Sequence, residues 1–211
     1  MRVYKFLDAR WGEEALRRRR LKVSYVLDLN DPFEGNCVLF SDVDEQWAWS
    51  QTREHVSAIL GLVSFSKGWD NPVLWSHYAD SHKGIVLGFD IDDTEYLRIV
   101  EYVEVFLNGV GISNWNDPER LKLFKSAYST KHKDWAYETE VRQFIKLTDQ
   151  DPYSKLYFVD FFPDLQLREI IFGTRFTGDI PYIKACLSDV SDLHFVSAGT
   201  SIDSFSIVGV G

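Results

Sequence analysis

Cysteine is scarce in this chain, with only Cys37 and Cys186 among 211 residues. A chain stapled by disulfides carries many more, so this count predicts a reducing environment and no disulfide framework. Long apolar runs are missing as well, since no stretch reaches the roughly 18 residues that a membrane-spanning helix needs. The opening residues, MRVYKFLDAR, show no apolar signal-peptide core. We therefore expect a cytoplasmic protein with no membrane partner.

Excess positive charge is also missing. Lys and Arg total 23 against 32 Asp and Glu, which gives a formal net charge of −9 and a pI of about 5.0. A protein that binds nucleic acid without sequence preference presents a basic face, so we expect no general nucleic-acid binding. The charge balance does not exclude a local basic cleft. Gly-rich phosphate loops and dinucleotide fingerprints are missing too, which argues against a P-loop or Rossmann enzyme.

The residues that are present predict a single globular domain over residues 1–211. Hydrophobic residues make up 45% of the chain and aromatic residues 15%, which is enough for a sizeable core. Segments typical of strands and of helices mix along the whole length. This pattern indicates an α+β fold, with a substantially antiparallel central sheet flanked by helices.

The best-marked helix is predicted over PVLWSHYADSH (72–82), with Asn71 as a suitable N-cap, Pro72 in its first turn and Gly84 just past its end. The spacing of Trp75, Tyr78 and His82 places these three rings on one side of that helix. The apolar run IVLGFD that follows is typical of a central strand.

The stretch YETEVRQFIKL, residues 137–147, alternates as a strand does. Glu138, Glu140 and Arg142 then point to one face, with successive side chains about 6.6 Å apart. Two carboxylates at that distance repel by about 2.5 kcal/mol at an effective dielectric of about 20. The row is either a salt-bridged surface strand or a catalytic pair in a cleft, and a helix would instead pair Glu138 with Arg142.

One chemistry suits a catalytic pair of this kind. Cleavage of a glycosidic bond builds positive charge on the sugar ring, and a fixed carboxylate stabilises that charge. Release of nicotinamide from NAD is the same event at a ribose. A further alternative is a metal-dependent nuclease built on Asp90, Asp92 and Asp93, although a strand that ends in a polar turn explains these residues equally well.

Five segments resemble the bacterial domain-of-unknown-function family numbered 2971, and they follow the order of that family over nearly the whole chain. Leu74 departs from the pattern, since many members have Met there. The function of the family is not established, and its members often occur near mobile-element and defence genes, which implies a bacterial protein with a role in phage defence. The segments are LNDPFE (29–34), SFS (64–66), LWSHYADSHKGIVLGFD (74–90), DWAYETEVR (134–142) and EIIFG (169–173).

A looser resemblance is to ADP-ribosyltransferases, which combine a polar first strand, a serine-bearing strand and a Glu-x-Glu strand. It implies that Glu140 stabilises the oxocarbenium ion of NAD and that Glu138 assists the acceptor. Arg142 would hold Glu140 ionised or orient a phosphate of this nucleotide. The first-strand Arg or His of those enzymes has no clear counterpart here. The remaining residues that would surround NAD are Tyr4, Lys5, Ser64 and Ser66.

The alternative from a different class is a non-catalytic sensor or interaction module, in which Trp69, Trp75, His77 and Tyr78 line a ligand pocket or a partner face. No cofactor is certain under either hypothesis, and NAD enters only as a possible substrate. The surroundings of Glu140 discriminate between the two. A cleft shared with the four residues of the first two strands favours the transferase, and a salt-bridged surface favours the module.

Overall fold

The computed structural model describes residues 1–109 and 118–210, without the side chains of residues 119 and 120. The strands within these ranges are β1 Arg2–Leu7, β2 Arg20–Tyr25, β3 Val38–Leu39, β4 Leu60–Ser66, β5 Ile85–Ile91, β6 Leu97–Ile99, β7 Glu101–Val103, β8 Leu107–Asn108, β9 Thr130–His132, β10 Glu140–Lys146, β11 Tyr157–Asp160, β12 Leu165–Phe172, β13 His194–Thr200 and β14 Ile207–Val210. The helices are α1 Ala9–Arg18, α2 Val43–Ser57, α3 Pro72–Tyr78, α4 Pro118–Ala127 and α5 Ile180–Cys186, and a 3-10 helix spans Lys133–Glu138.

The prediction of an α+β fold with a largely antiparallel mixed sheet is confirmed. The chain divides into two compact units. Unit 1 comprises Met1–Lys22, Ser64–Thr94 and Phe158–Gly211, and unit 2 comprises Val23–Val63 and Glu95–Tyr157. The single domain expected over residues 1–211 stays a prediction. Among the described residues, no helix has the length and apolar character needed to cross a membrane.

Within unit 1, the strand order is the end of β4 (Ser64–Ser66), then β1, β5, β12, β13 and β14. Its neighbouring strands are antiparallel except for the parallel pair β12–β13. The strand β5 lies between β1 and β12, and its residues from Ile85 to Phe89 are buried. The apolar run that predicted a central strand therefore marks the middle of this sheet.

The helix α3 begins as predicted but ends early. The side chain of Asn71 accepts a hydrogen bond from the backbone N–H of Val73, and Pro72 occupies the first turn. The predicted continuation to His82 is wrong, because Asp80 and the two residues after it take left-handed backbone conformations that end a helix. The ring of His82 nevertheless stacks on buried Trp75, with centroids 6.2 Å apart.

Unit 2 packs α2 and α4 against short strands. The core includes Trp49, Leu62, Phe124 and Tyr128, and the rings of Phe124 and Tyr128 are 4.5 Å apart. The strand β10 pairs antiparallel with β6, and β7 pairs in parallel with β9. These two strand pairs carry the charged residues Lys131, Glu140 and Arg142.

Candidate functional site

The Glu-x-Glu pair does not lie on one strand. Glu138 is the last residue of the 3-10 helix, and Thr139 takes a left-handed conformation with φ of 44°. The strand β10 begins at Glu140, so the prediction of a continuous strand over residues 137–147 is wrong at its start. The turn at Thr139 means that the two carboxylates are not held together by strand alternation.

Glu140 and Arg142 do share one face of β10, as the alternation predicts. The Nε and Nη2 atoms of Arg142 donate to the two carboxylate oxygens of Glu140 at 2.8 and 2.9 Å. A third nitrogen, Nη1, donates to the backbone carbonyl of Tyr128 at 2.8 Å. Arg142 is fully buried, at 0% exposed. Such a two-pronged contact fixes the carboxylate in both direction and distance.

Lys131 on β9 contacts the carboxylates of both Glu138 and Glu140. Its Nζ atom lies 2.6 Å from an oxygen of Glu138 and 2.9 Å from one of Glu140. The strand β9 is held beside β7 with Tyr102 opposite Lys131, and the hydroxyl of Tyr102 accepts a hydrogen bond from the backbone N–H of Glu140 at 2.8 Å. The two glutamates thus meet through a shared cation that the sequence pattern did not single out.

A third carboxylate, that of Glu34, completes this group. It lies 2.5 Å from Arg142 Nη2 and 3.4 Å from Lys131 Nζ. The turn that presents it is fixed at Gly35, which has φ of 70° and whose Cβ, if present, would lie 2.4 Å from the ring of Tyr128. The only sequence signal for Glu34 was its place in the segment LNDPFE, and nothing in that segment indicates its partners. We call the five residues Glu34, Lys131, Glu138, Glu140 and Arg142 the charge cluster.

The charge cluster is buried, and its three carboxylates face two cations. Burial acts to lower the pKa of Lys131 and of Arg142, but the surrounding carboxylates more than reverse this, so both values are raised and both groups stay charged. Burial raises the pKa of Glu34, against the attraction of Arg142 and Lys131. Burial also raises the pKa of Tyr102 to about 12, so its hydroxyl stays neutral. One proton on Glu34 makes the cluster electrically neutral.

This arrangement answers why like charges stand so close in the sequence. Each oxygen of Glu140 is taken up by a cation, and its side chain is only 6% exposed. A carboxylate held in this way is a fixed structural element of the protein interior. Removing one partner of such a buried pair is strongly destabilising, because the other charge is left without compensation.

The four other residues that the transferase resemblance implied lie in unit 1. Tyr4 on β1 is the direct cross-strand partner of Ser66 on β4, and Lys5 Nζ donates to the backbone carbonyl of Ser64 at 3.0 Å. These four residues are therefore brought together within unit 1, and the three from residues 138–142 are brought together within unit 2. A cleft that contains both groups stays a prediction.

The acidic run after β5 begins with an ion-paired residue. Asp90 lies 2.7 Å from Arg2 and 3.2 Å from Arg168, whereas Asp92 and Asp93 are exposed. Among the side chains that the structure describes, no group of three or more His, Cys, Asp or Glu is placed to hold a metal ion.

The aromatic residues of the sensor alternative are divided between interior and surface. Trp75 is fully buried, and its Nε1 donates to the backbone carbonyl of Trp69 at 2.6 Å. His77 is exposed on the same helix. Trp75 therefore packs in the core of unit 1 instead of lining an open pocket.

A cavity of about 460 Å³ lies in unit 2, lined by residues of α4, β6, β7 and β9 and of the turn before β9. It adjoins the charge cluster along the chain, because Thr130 in its wall directly precedes Lys131. Ile99, also in its wall, is the cross-strand partner of Val141, which lies between Glu140 and Arg142.

The side chains around this cavity are mainly basic or hydroxyl-bearing. The polar side chains of the wall include Arg98, Glu101, Lys122, Lys125, Ser126 and Ser129. Ser129 is 7% exposed, and its hydroxyl has no hydrogen-bond partner in the part of the chain that the structure describes. A local basic cleft is compatible with the sequence but cannot be located from it, because these residues come from segments about thirty positions apart.

Comparisons of this chain with protein-family models, with curated proteins and with solved structures found no match.

Proposed function

We propose that this chain is a non-catalytic binding module, of the sensor or interaction type, whose ligand occupies the cavity beside the charge cluster. The observation that carries the proposal is the state of Glu140, whose two oxygens are both ion-paired in the interior with Arg142 and Lys131. A carboxylate that stabilises a developing sugar cation has to face that sugar. Glu140 faces its own cations instead.

In this proposal the charge cluster serves the cavity indirectly. It anchors β9 through Lys131 and β10 through Arg142, and β9 forms part of the cavity wall. A site whose walls are fixed before the ligand arrives binds more tightly, because less conformational entropy of the protein is lost on binding. The cavity volume falls within the range of about 300–1,000 Å³ that is common for small-molecule sites.

The second candidate is the ADP-ribosyltransferase, with NAD as substrate and a role in bacterial defence. It is favoured by the meeting of Tyr4 with Ser66 and of Lys5 with Ser64 on adjacent strands, which is the order that the resemblance implies. It requires Glu140 to leave its two cations and to reach a bound ribose.

One experiment separates these candidates. The purified chain is incubated with NAD, with and without bacterial cell extract as acceptor, and nicotinamide release and transfer of labelled ADP-ribose are measured. Glu140→Gln is compared with Glu104→Gln, which makes the same chemical change at an exposed pair with Lys133. We expect no turnover by any of the three proteins. We also expect a loss on the order of 3 kcal/mol in the unfolding free energy of Glu140→Gln alone.

The opposite result would overturn the proposal that this chain is a non-catalytic binding module. Nicotinamide release by the wild type that Glu140→Gln abolishes, with an unchanged melting curve and with Glu104→Gln still active, would assign Glu140 to catalysis.

A further inference from the structure

The cavity in unit 2 is positively charged in a chain that is strongly acidic. Arg98, Lys122 and Lys125 line it together with one carboxylate, that of Glu101, which leaves a formal local charge of +2. The whole chain carries −9. Basic side chains that converge on one concave surface raise the local concentration of anions, even when the net charge of the protein is negative.

Arg98 and Lys125 are held at the cavity by contacts of their own. Arg98 Nη1 donates to the backbone carbonyl of Leu97 at 2.8 Å, and Lys125 Nζ lies 5.9 Å from the centre of the Tyr96 ring. Both basic side chains are half-buried. Cations that are partly withdrawn from water interact more strongly with a bound anion than fully exposed ones do.

Ser129 supplies an independent observation that points to a ligand. It is more than nine-tenths buried in the cavity wall, and its hydroxyl lacks a hydrogen-bond partner among the described residues. Its neighbour Thr130 differs, because the Thr130 hydroxyl donates to the backbone carbonyl of Ser126 at 2.8 Å. Buried hydroxyls are almost always hydrogen-bonded. The Ser129 oxygen is closed to solvent in this structure, and a rotation of its side chain toward the basic cavity would let it donate to an acceptor oxygen of a ligand.

We propose that this cavity binds a small phosphate-bearing molecule, with the phosphate held by Arg98 and Lys125 and accepting a hydrogen bond from Ser129. This inference rests on the proposed function, since it names the chemical class of ligand for the same cavity. A phosphate group suits the site because it offers several acceptor oxygens to an arginine fork, a lysine and a hydroxyl at once. Polymeric nucleic acid suits it less, because the net charge of the chain is repulsive.

The test is a calorimetric titration with inorganic phosphate, ribose 5-phosphate, adenosine 5′-monophosphate and adenosine. We expect binding of the phosphorylated sugar and nucleotide, none of adenosine, and an affinity that falls as salt is raised. Lys125→Gln and Arg98→Gln should each weaken binding by about tenfold or more, because each removes a charge-assisted hydrogen bond. Lys133→Gln, at an exposed lysine of the same unit outside the cavity, is the matched control and should bind as the wild type does.

Ser129→Ala separates a binding role from a structural one. The variant removes a hydroxyl that has no described partner, so the melting temperature without ligand should stay the same or rise, while affinity for ribose 5-phosphate should fall severalfold. If the protein binds inorganic phosphate but neither of the larger phosphorylated probes, the ligand of the site is the free anion. If it prefers ribose 5-phosphate to inorganic phosphate, the ligand is a phosphorylated metabolite.

The failures of the two proposals are distinguishable. Equal affinity for adenosine and its monophosphate, unchanged affinity in Lys125→Gln, or no binding of any phosphorylated probe would overturn the phosphate inference. A neutral compound that binds the wild type but not Ser126→Trp, a substitution that fills the cavity, would overturn it while supporting the module. Turnover of NAD that depends on Glu140 would overturn the module itself.

Discussion

Arg142→Met tests most directly whether the charge cluster holds unit 2 together. Arg142 is 0% exposed and contacts Glu140, Glu34 and the carbonyl of Tyr128. Methionine has a similar length but no charge, so three carboxylates would be left facing Lys131 alone. Removal of one partner from a buried ion pair costs about 3–5 kcal/mol. That is a large share of the roughly 5–15 kcal/mol by which folded proteins are stable.

For a chain of this size, 1 kcal/mol lowers the melting temperature by roughly 2–4 °C. We therefore expect Arg142→Met to melt about 6–20 °C below the wild type. The measurement is a thermal melt by circular dichroism, with urea unfolding at 25 °C as a second estimate of the free energy of unfolding. Arg142→Lys keeps the charge but loses the two-pronged contact, so it should lie between Arg142→Met and the wild type.

The matched control is Lys133→Met, which removes a cation of the same unit from its ion pair with Glu104. The side chains of that pair are 54% and 67% exposed, so we expect a loss below about 1 kcal/mol. The double variant Arg142→Met with Glu140→Gln should lose less than the sum of its two single variants, because the second change removes one of the stranded carboxylates. If Arg142→Met has the same melting temperature as the control Lys133→Met, the claim that the charge cluster is a buried scaffold is refuted.

Three further predictions follow from burial. Because burial raises the pKa of Glu34 above its usual 4.5, the folded chain holds this proton to a higher pH than the unfolded chain does. The unfolding free energy of the wild type relative to Glu34→Gln should therefore fall as pH rises from 4.5 towards neutrality, as urea unfolding at several pH values can check; a rise would mean that the cations dominate. Exposed Cys186 should react with a thiol reagent before buried Cys37, whose pKa burial raises, and the reverse order would contradict the placement of the two. Trp75→Ala should lower the unfolding free energy by about 3–5 kcal/mol in urea titrations, since Trp75 is 0% exposed, and a loss below 1 kcal/mol would contradict its burial.

The parts of the fold that could be predicted are those with local causes. The start of α3 follows from Asn71 and Pro72, two neighbouring residues whose preferences agree. The strand β5 follows from a continuous apolar run, which suits a position between two other strands. The end of α3 could not be predicted, because YADSH contains no glycine or proline to mark the left-handed residues that stop the helix.

The candidate site could be predicted only in part, because its contacts join distant segments. Alternation correctly placed Glu140 and Arg142 on one face, since both belong to β10. Alternation failed for Glu138, because this residue ends a 3-10 helix and the left-handed Thr139 separates it from the strand β10. Lys131 and Glu34 reach the cluster through the pairing of β9 with β7 and through a turn fixed by Gly35, and neither cause is visible in the segment that contains the glutamates.

The electrostatics of the cluster bear on what Glu140 can do for chemistry. A carboxylate stabilises an oxocarbenium ion through the negative field that it projects onto the sugar. The field of Glu140 is opposed at close range by Arg142 and Lys131, both at 2.9 Å or less. When Glu34 holds a proton, the cluster has no net charge, so a cation that arrives nearby gains little. A mutation that made Glu140 available would have to remove one of those cations, and the resulting loss of stability is the reason that we assign this carboxylate to the scaffold of a binding site.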